Sequence, residues 1–498
     1  MGGVVSTVKI LIAFSWSLNS SLSPLLKRIH SDPARPSSNP TKSFWLSHPH
    51  PHVATHQSPS LPSCVDVVVI GSGITGTAVA KTLLETAPSS LRVAMLDARE
   101  ACSGATGRNG GHIKESAYLE YGALKKKYGR EVAEEVVRFR LAHLEMLVGV
   151  AEAEGEAVVE GCGIRRCGTA DVCFEERVWE DSKRRLEVFL GDFEDQRGLW
   201  VVHEAEEARE IYPFPSAIGA ISSSAGSLWP YRLFTPILSR LLLSYPAHFT
   251  LDTSTPALSI SAPTPSHPDH YLVSTPRGNI LTRHIVHATN AHAAHLLPGL
   301  RGLIFPVRGH MSAQRPTDLP GGALDAERRS YTFLWAEGFD YLTQLPDPEN
   351  TVMLGGGLFQ SGEFGFGEIG ERGDDGVSLL ASAHVAGILQ SVVGRPGCVC
   401  VDAVWTGSMG FTPDGMPWVG AVGEKFAGGR ARPEGGGEWV VAGFCGEGMV
   451  NAWGCGVALG RMVGGEGAGE VGLPGPMVMT EERVGRADLM DLAREWFG

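Results

Sequence analysis

Two glycine-rich stretches stand far apart in this 498-residue chain: Gly71, Ser72, Gly73, Ile74, Thr75 and Gly76 near the front, and Gly443 to Gly448 near the back. Glycines at such spacing let a backbone turn sharply and come close to a pyrophosphate. A helix that starts in the turn adds unpaired N–H groups and the positive end of its dipole. The first stretch follows the apolar run Asp66 to Ile70 and precedes a helical pattern from Ile74 to Ala87, the strand, turn and helix that this chemistry requires. A second apolar run, Arg92 to Asp97, ends in a carboxylate 21 residues after Gly76, with Ala98 and Arg99 beside it. Asp97 is placed to accept hydrogen bonds from ribose hydroxyls. Next comes a run of small and hydrogen-bonding residues, Ser103, Gly104, Ala105, Thr106, Gly107, Arg108, Asn109, Gly110, Gly111 and His112. It is long enough to wrap a pyrophosphate and a ribityl chain, which selects FAD over NAD.

The elements that must hold these residues form two interleaved bodies. Residues 1–62, rich in Ser, Pro and His, read as leader and linker, within which Ser43 to Leu46 is an apolar island that docks on the folded part. Residues 63–115, 225–300 and 401–463 read as the FAD-binding domain, 116–224 and 301–400 as a substrate domain, and 464–498 as a C-terminal tail. The expected class is α/β: a Rossmann-like FAD-binding domain interleaved with a mixed-sheet α+β substrate domain, with the flavin at their junction. Tyr341 to Leu345 and Thr351 to Leu354 alternate as strands. Gly355 to Gly357 then mark a place where backbone turns tightly or approaches something closely.

Bulk properties exclude some functions. The net charge of −13, with no Lys/Arg block longer than Lys125 to Lys127, argues against nucleic acid. No apolar stretch reaches the length of a membrane span. Val8 to Leu18 has the look of a signal h-region and Met1 to Ser6 fits the N-myristoylation pattern; a plain leader is the preferred reading, with neither excluded. The nine cysteines are scattered, and Cys162, Cys167 and Cys173 lack a histidine at zinc spacing. No metal is expected, and the thiols read as free in a reducing compartment, the cytoplasm.

In order along the chain, the Gly71 turn, the Ser103 to Gly111 loop, Val286 to Ala291, Pro306 to Gly309, Thr412 to Gly415 and the Gly443 to Met449 turn resemble the D-amino-acid oxidase superfamily of FAD-dependent oxidoreductases. Within it the chain is similar to the fungal amine-oxidoreductase-like branch near gamma-glutamylputrescine oxidoreductase and glycine oxidase. The resemblance implies a noncovalent FAD and oxidation of a C–N bond by hydride transfer to flavin N5. It implies a small amine or amino-acid-like substrate, with oxygen or another electron acceptor. It further implies that Ala257 pairs its backbone with the adenine, and that Ala288, Thr289 and Asn290 border the cofactor. Two positions depart from relatives: Met409 stands where amino-acid-oxidising members carry a carboxylate-binding arginine, and Val450 where sarcosine-type members use a lysine. No lysine occurs in Thr351 to Phe359, where several oxidases carry one that promotes reaction with oxygen, so the acceptor stays open.

The catalytic candidates are Glu447, Tyr341, Arg308 and His112. The second glycine turn, through Gly446, Glu447, Gly448 and Met449, directs N–H groups at the flavin edge where negative charge collects on reduction. A carboxylate there is either a counter-ion for a substrate ammonium, pointing away from the ring, or a cap for the helix beginning near Met449. Arg308 is either a carboxylate clamp or a turn-stabilising residue. His112 ends the flavin loop and can contact the ring, while the covalent histidine of some relatives aligns better with Arg108. Tyr341, Trp335 and Trp405 are candidates for an aromatic wall around an amine. With no anchors at Met409 and Val450, amines lacking an α-carboxylate are expected to react faster than simple amino acids. The competing functions are a flavin dehydrogenase of a non-amine substrate and a flavoprotein whose cofactor is structural and whose surface binds a partner.

Overall fold

The strand Cys64–Ile70 is apolar on both faces because it lies in the middle of a sheet covered on both sides. In the computed structural model, which describes residues 23–86, 90–319, 324–325, 328–346 and 348–490, it pairs in parallel with Gly278–His287 on one side and Val93–Leu96 on the other. Beyond them lie Gly437–Ala442 and the antiparallel edge Trp418–Ala421 in one direction, and Phe249–Asp252 in the other. Helix Ile74–Thr86 packs against helix Ala452–Val463, and small residues bring the two backbones together. A Cβ added at Gly456 would lie 2.7 Å from the Ala78 Cβ and 2.8 Å from the Thr75 carbonyl oxygen.

A second sheet runs Val399–Phe411, Phe305–Pro316, Val352–Gly356, Phe339–Gln344, Arg329–Leu334, Arg165–Cys173, Gly219–Ser227 and His112–Ile113. It is antiparallel except where Arg329–Leu334 pairs in parallel with Arg165–Cys173, so the chain is the expected mixed α/β protein. The close approach expected at the glycine triplet is made to the neighbouring strand. A Cβ at Gly355 would lie 2.6 Å from the Tyr341 ring, and one at Gly356 would lie 2.0 Å from Asp340 Oδ1.

Several boundaries differ from the sequence reading. Residues 23–62 are not linker: Leu25, Ile29, Trp45 and Val53 are buried, and Asp32 pairs with His295 and Arg301. The docked island is Phe44–Leu46, where Ser43 Oγ donates to Gly107 O at 2.6 Å and Trp229 Nε1 donates to Trp45 O at 2.9 Å. Strand Val399–Phe411, assigned from residue 401 to the FAD-binding domain, belongs to the second sheet, as do His112–Ile113 and the whole of Gly219–Ser227. Sequence alternation identifies a strand but not the sheet it joins. Residues 464–490 are no loose tail: Val471, Leu473 and Met477 are buried, and Arg483 pairs with Asp414 at 2.7 Å. The readings made on Met1 to Ser6 and Val8 to Leu18 lie outside the described residues.

Candidate active site

Both glycine turns face one cavity of about 2390 Å³ lined from both sheets. That exceeds the roughly 300–1,000 Å³ of an ordinary small-molecule pocket, as an extended dinucleotide plus a substrate requires. At the first turn Gly71 has φ +106°, and a Cβ on it would lie 2.5 Å from Ala288 O. Only glycine lets this turn sit against the end of the neighbouring strand. Gly76 is tighter, since a Cβ there would lie 1.9 Å from Gly71 O. Thr106 Oγ1 accepts from Ile74 N at 2.9 Å, tying the loop after residue 103 to the helix start. The N–H groups of Gly73 and Thr75 make no hydrogen bond among the described residues, so the helix offers donors for a phosphate group. These free donors and the size of the cavity fit FAD.

Asp97 lies at the cavity edge, where its carboxylate accepts from Ser72 N at 3.0 Å, Ser72 Oγ at 2.5 Å and Arg99 N at 3.0 Å. Burial pushes its carboxyl above the usual range, against the pull of those hydrogen bonds. Arg99 pairs with Asp374 at 2.9 Å. Arg108 spends its donors on Ser103 O, Thr41 and Thr406 O and lies 3.3 Å from Asp374. It therefore stitches loop to scaffold. Asn290 ties the end of strand Gly278–His287 to the second turn, its Oδ1 accepting from Gly443 N at 3.0 Å.

Of the expected cofactor residues, Gly71 to Thr75, Asp97 to Arg99, Gly104 to Thr106, Arg108 to Gly110, His112, Ala257, Ala288 to Asn290 and Gly446 to Met449 all line the cavity. Gly76, Ser103 and Gly111 do not. Gly76 and Gly111 serve backbone packing: Gly111, at φ +66°, lies where a Cβ would meet Leu228 O at 2.1 Å. Sequence reasoning missed Ala34, Arg35 and Pro36, which border the same cavity from the segment read as linker.

On the substrate side His112 stacks on Tyr341 at 6.0 Å between centroids, and its Nε2 lies 2.9 Å from Ser330 Oγ. Burial, with Lys114 nearby, lowers the imidazole to about 3, so it is neutral at pH 7. Burial raises the Tyr341 phenol to about 12, leaving it protonated. Glu447 is half-buried in the cavity wall, and its carboxylate has no hydrogen-bond partner among the described residues. It makes no side-chain cap, although it stands at the N-cap position of the short helix Gly448–Val450. Burial and the charge of Glu120 raise it to about 7, opposed by Arg140 and Lys114. Arg140 is fully enclosed, bonded to Glu120 at 2.5 Å and 3.6 Å from Glu115.

Two candidates leave the site. Arg308 does not line the cavity; its Nε donates to Glu368 Oε2 at 2.6 Å, because its strand position aims it at the segment before Ile369. Trp405 is a core residue, fully buried, with Nε1 donating to Arg108 O at 2.9 Å. Trp335 does reach the cavity, held by a 2.7 Å bond to Asp340 Oδ2 and stacked on Phe174. Met409 and Val450 also line it. The strongest omission is Lys114, a buried cavity residue two positions after His112, a spacing that shares a face on extended chain.

The family described as FAD dependent oxidoreductase, DAO, matches residues 66–462. No curated protein sequence matches. Among solved structures, glycine oxidase from Geobacillus kaustophilus is similar with 19% identity and a TM-score of 0.61, over 84% of this chain and 99% of that one. L-proline dehydrogenase from P. horikoshii is similar with 20% identity and a TM-score of 0.56, over 87% and 99%. L-amino acid deaminase from Proteus vulgaris is similar with 14% identity and a TM-score of 0.59, over 84% and 94%. At these identities the likeness is one of fold. Among the described residues no helix is long and apolar enough to cross a membrane.

Proposed function

Because the chain belongs to the DAO family of FAD-dependent oxidoreductases, we propose that this enzyme oxidises a C–N bond of an amine or amino-acid-like substrate. The flavin, when bound, supplies the hydride acceptor at N5. The chain's own residues hold and orient. The Gly73 and Thr75 N–H groups would hold the pyrophosphate, Asp97 would accept from the ribose, and the Gly446 to Met449 turn would offer N–H groups to the ring. Neutral His112 and protonated Tyr341 form a wall beside the reacting carbon without adding charge.

The observation that carries the reading is the unpartnered carboxylate of Glu447 in the cavity wall, raised to about 7. It is a counter-ion for a substrate ammonium, and close to neutral pH it can take the ammonium proton before the C–H bond is broken. Three of the neighbouring structures are named for glycine, L-proline and L-amino acids, which supports a nitrogen-bearing substrate, while another is named for L-alpha-glycerophosphate. We assign FAD a noncovalent attachment, since Arg108 stands at the position that aligns with the covalent histidine of some relatives. The bound flavin would pass its electrons to oxygen or to another electron acceptor. The nine scattered cysteines of the sequence support a reducing compartment, the cytoplasm.

The test is anaerobic bleaching of the flavin absorbance against a panel of amines, amino acids and hydroxy acids. Bleaching by hydroxy acids alone would refute the C–N reading. Acid precipitation should release the yellow colour, and a pellet that stays yellow would refute noncovalent binding.

A further inference from the structure

Among the cations that line the cavity, Lys114 differs from the rest. Arg99 and Arg108 are committed to Asp374 and to backbone carbonyls, and the other lysines and arginines of the lining are exposed. The Lys114 side chain is 5% exposed. Its Nζ donates to Asp171 Oδ1 and, at 2.8 Å, to Thr332 Oγ1. An ammonium has three N–H donors, so one remains. Lys114 and Thr332 line the cavity whereas Asp171 does not, which puts the aspartate behind the lysine as the group that holds it in place. Thr332 accepts from Lys114, and its own hydroxyl proton has no acceptor among the described residues. Two adjacent donors, one on a cation, are thus presented to the same space.

We infer that Lys114 and Thr332 form the carboxylate anchor of the substrate pocket, so that the enzyme takes amines that also carry a carboxylate, amino acids or N-substituted amino acids. One carboxylate oxygen accepts from Lys114 Nζ and the other from Thr332 Oγ. Lys114 is close enough to Glu447 to favour its ionised form, and the two residues match the two ends of a zwitterion. A site built to donate into a carboxylate discriminates strongly against an analogue that lacks one, because its buried donors are then left unpaired. The anchor reverses the expectation of faster reaction with carboxylate-free amines: Met409 and Val450 are apolar, but the fold supplies a cation from the segment just after strand His112–Ile113. The inference rests on the C–N reading for its substrate class, while the anion site stands on its own geometry.

The experiment uses the FAD-loaded protein. Acetate and benzoate are titrated against the oxidised flavin spectrum. Flavin reduction is then compared within matched pairs, glycine with methylamine and L-proline with pyrrolidine. Lys114→Met alone would strand the Asp171 charge, so the variant is Lys114→Met with Asp171→Asn, with Thr332→Val beside it. Carboxylate Kd is expected to rise at least about tenfold in the double variant and severalfold in Thr332→Val. The preference for each amino acid over its matched amine should fall in parallel. Carboxylate affinity within twofold of the parent in both variants would overturn the anchor, as would faster reduction of the parent by both amines than by their amino acids. If the double variant does not retain flavin, Thr332→Val alone decides. Reduction by none of the four compounds would count against the C–N reading, and the carboxylate titration would still judge the anchor.

Discussion

Glu447→Gln isolates the counter-ion. In the wild type the carboxyl is raised to about 7 by burial and by Glu120, against the opposing charges of Arg140 and Lys114; Glu115 faces the same cluster. A substrate ammonium needs the ionised form. About half of Glu447 is ionised at pH 7 and about one part in a hundred at pH 5, so apparent affinity should fall about 50-fold between those two values. Alkylammonium and zwitterionic amines stay protonated throughout that range, so the change belongs to the protein. The assay is anaerobic stopped-flow reduction, which gives an apparent Kd at each pH from the concentration dependence. In Glu447→Gln the affinity should be weak at every pH and the slope between pH 5 and 7 should vanish. An unchanged slope would show that another group carries the titration and that Glu447 does not meet the substrate. The same raised pKa has a stability consequence in the cofactor-free protein. The fold prefers protonated Glu447, so its contribution is full below the unfolded carboxyl range and is lost as pH rises through 7.

Asp97→Ala should weaken FAD binding by about 1.5–3 kcal/mol, the range for hydrogen bonds to a charged group; equilibrium dialysis measures it, and undiminished retention would place the ribose elsewhere. Gly76→Ala puts a methyl 1.9 Å from Gly71 O and should cost at least about 1–3 kcal/mol of stability along with flavin content. A holoprotein with a normal urea midpoint would refute that placement of the turn. Arg308→Ala strands Glu368, whose side chain is only 3% exposed, and should lower stability by about 3–5 kcal/mol without changing substrate Kd in the molecules that remain folded. A rise in Kd confined to carboxylate substrates would show that Arg308 reaches the pocket after all.

What the chain reveals by itself is local. The glycines at 71, 73 and 76 follow a buried strand and open a helix, and Asp97 ends the next strand. Those spacings are consequences of backbone geometry over a few residues, so they can be read without knowing what packs where. The same holds for the Ser103 to His112 loop and the Gly443 turn. The substrate side depends on register and pairing between segments hundreds of residues apart. Trp405 sits in strand Val399–Phe411 and Trp335 just past the end of strand Arg329–Leu334 of the same sheet, yet the first is buried in the core and the second lines the cavity. Arg308 invites a role as a clamp until Glu368, 60 residues away, takes its guanidinium. Lys114 looks unremarkable in sequence, and it becomes a cavity cation because Asp171 and Thr332, brought alongside by two other strands, fix its ammonium there. Even the segment 23–62, polar and proline-rich, is held down by Trp45 and Asp32 finding partners on the folded body. Composition predicts whether a segment can fold alone, and only the tertiary structure shows what other surface it can fold against.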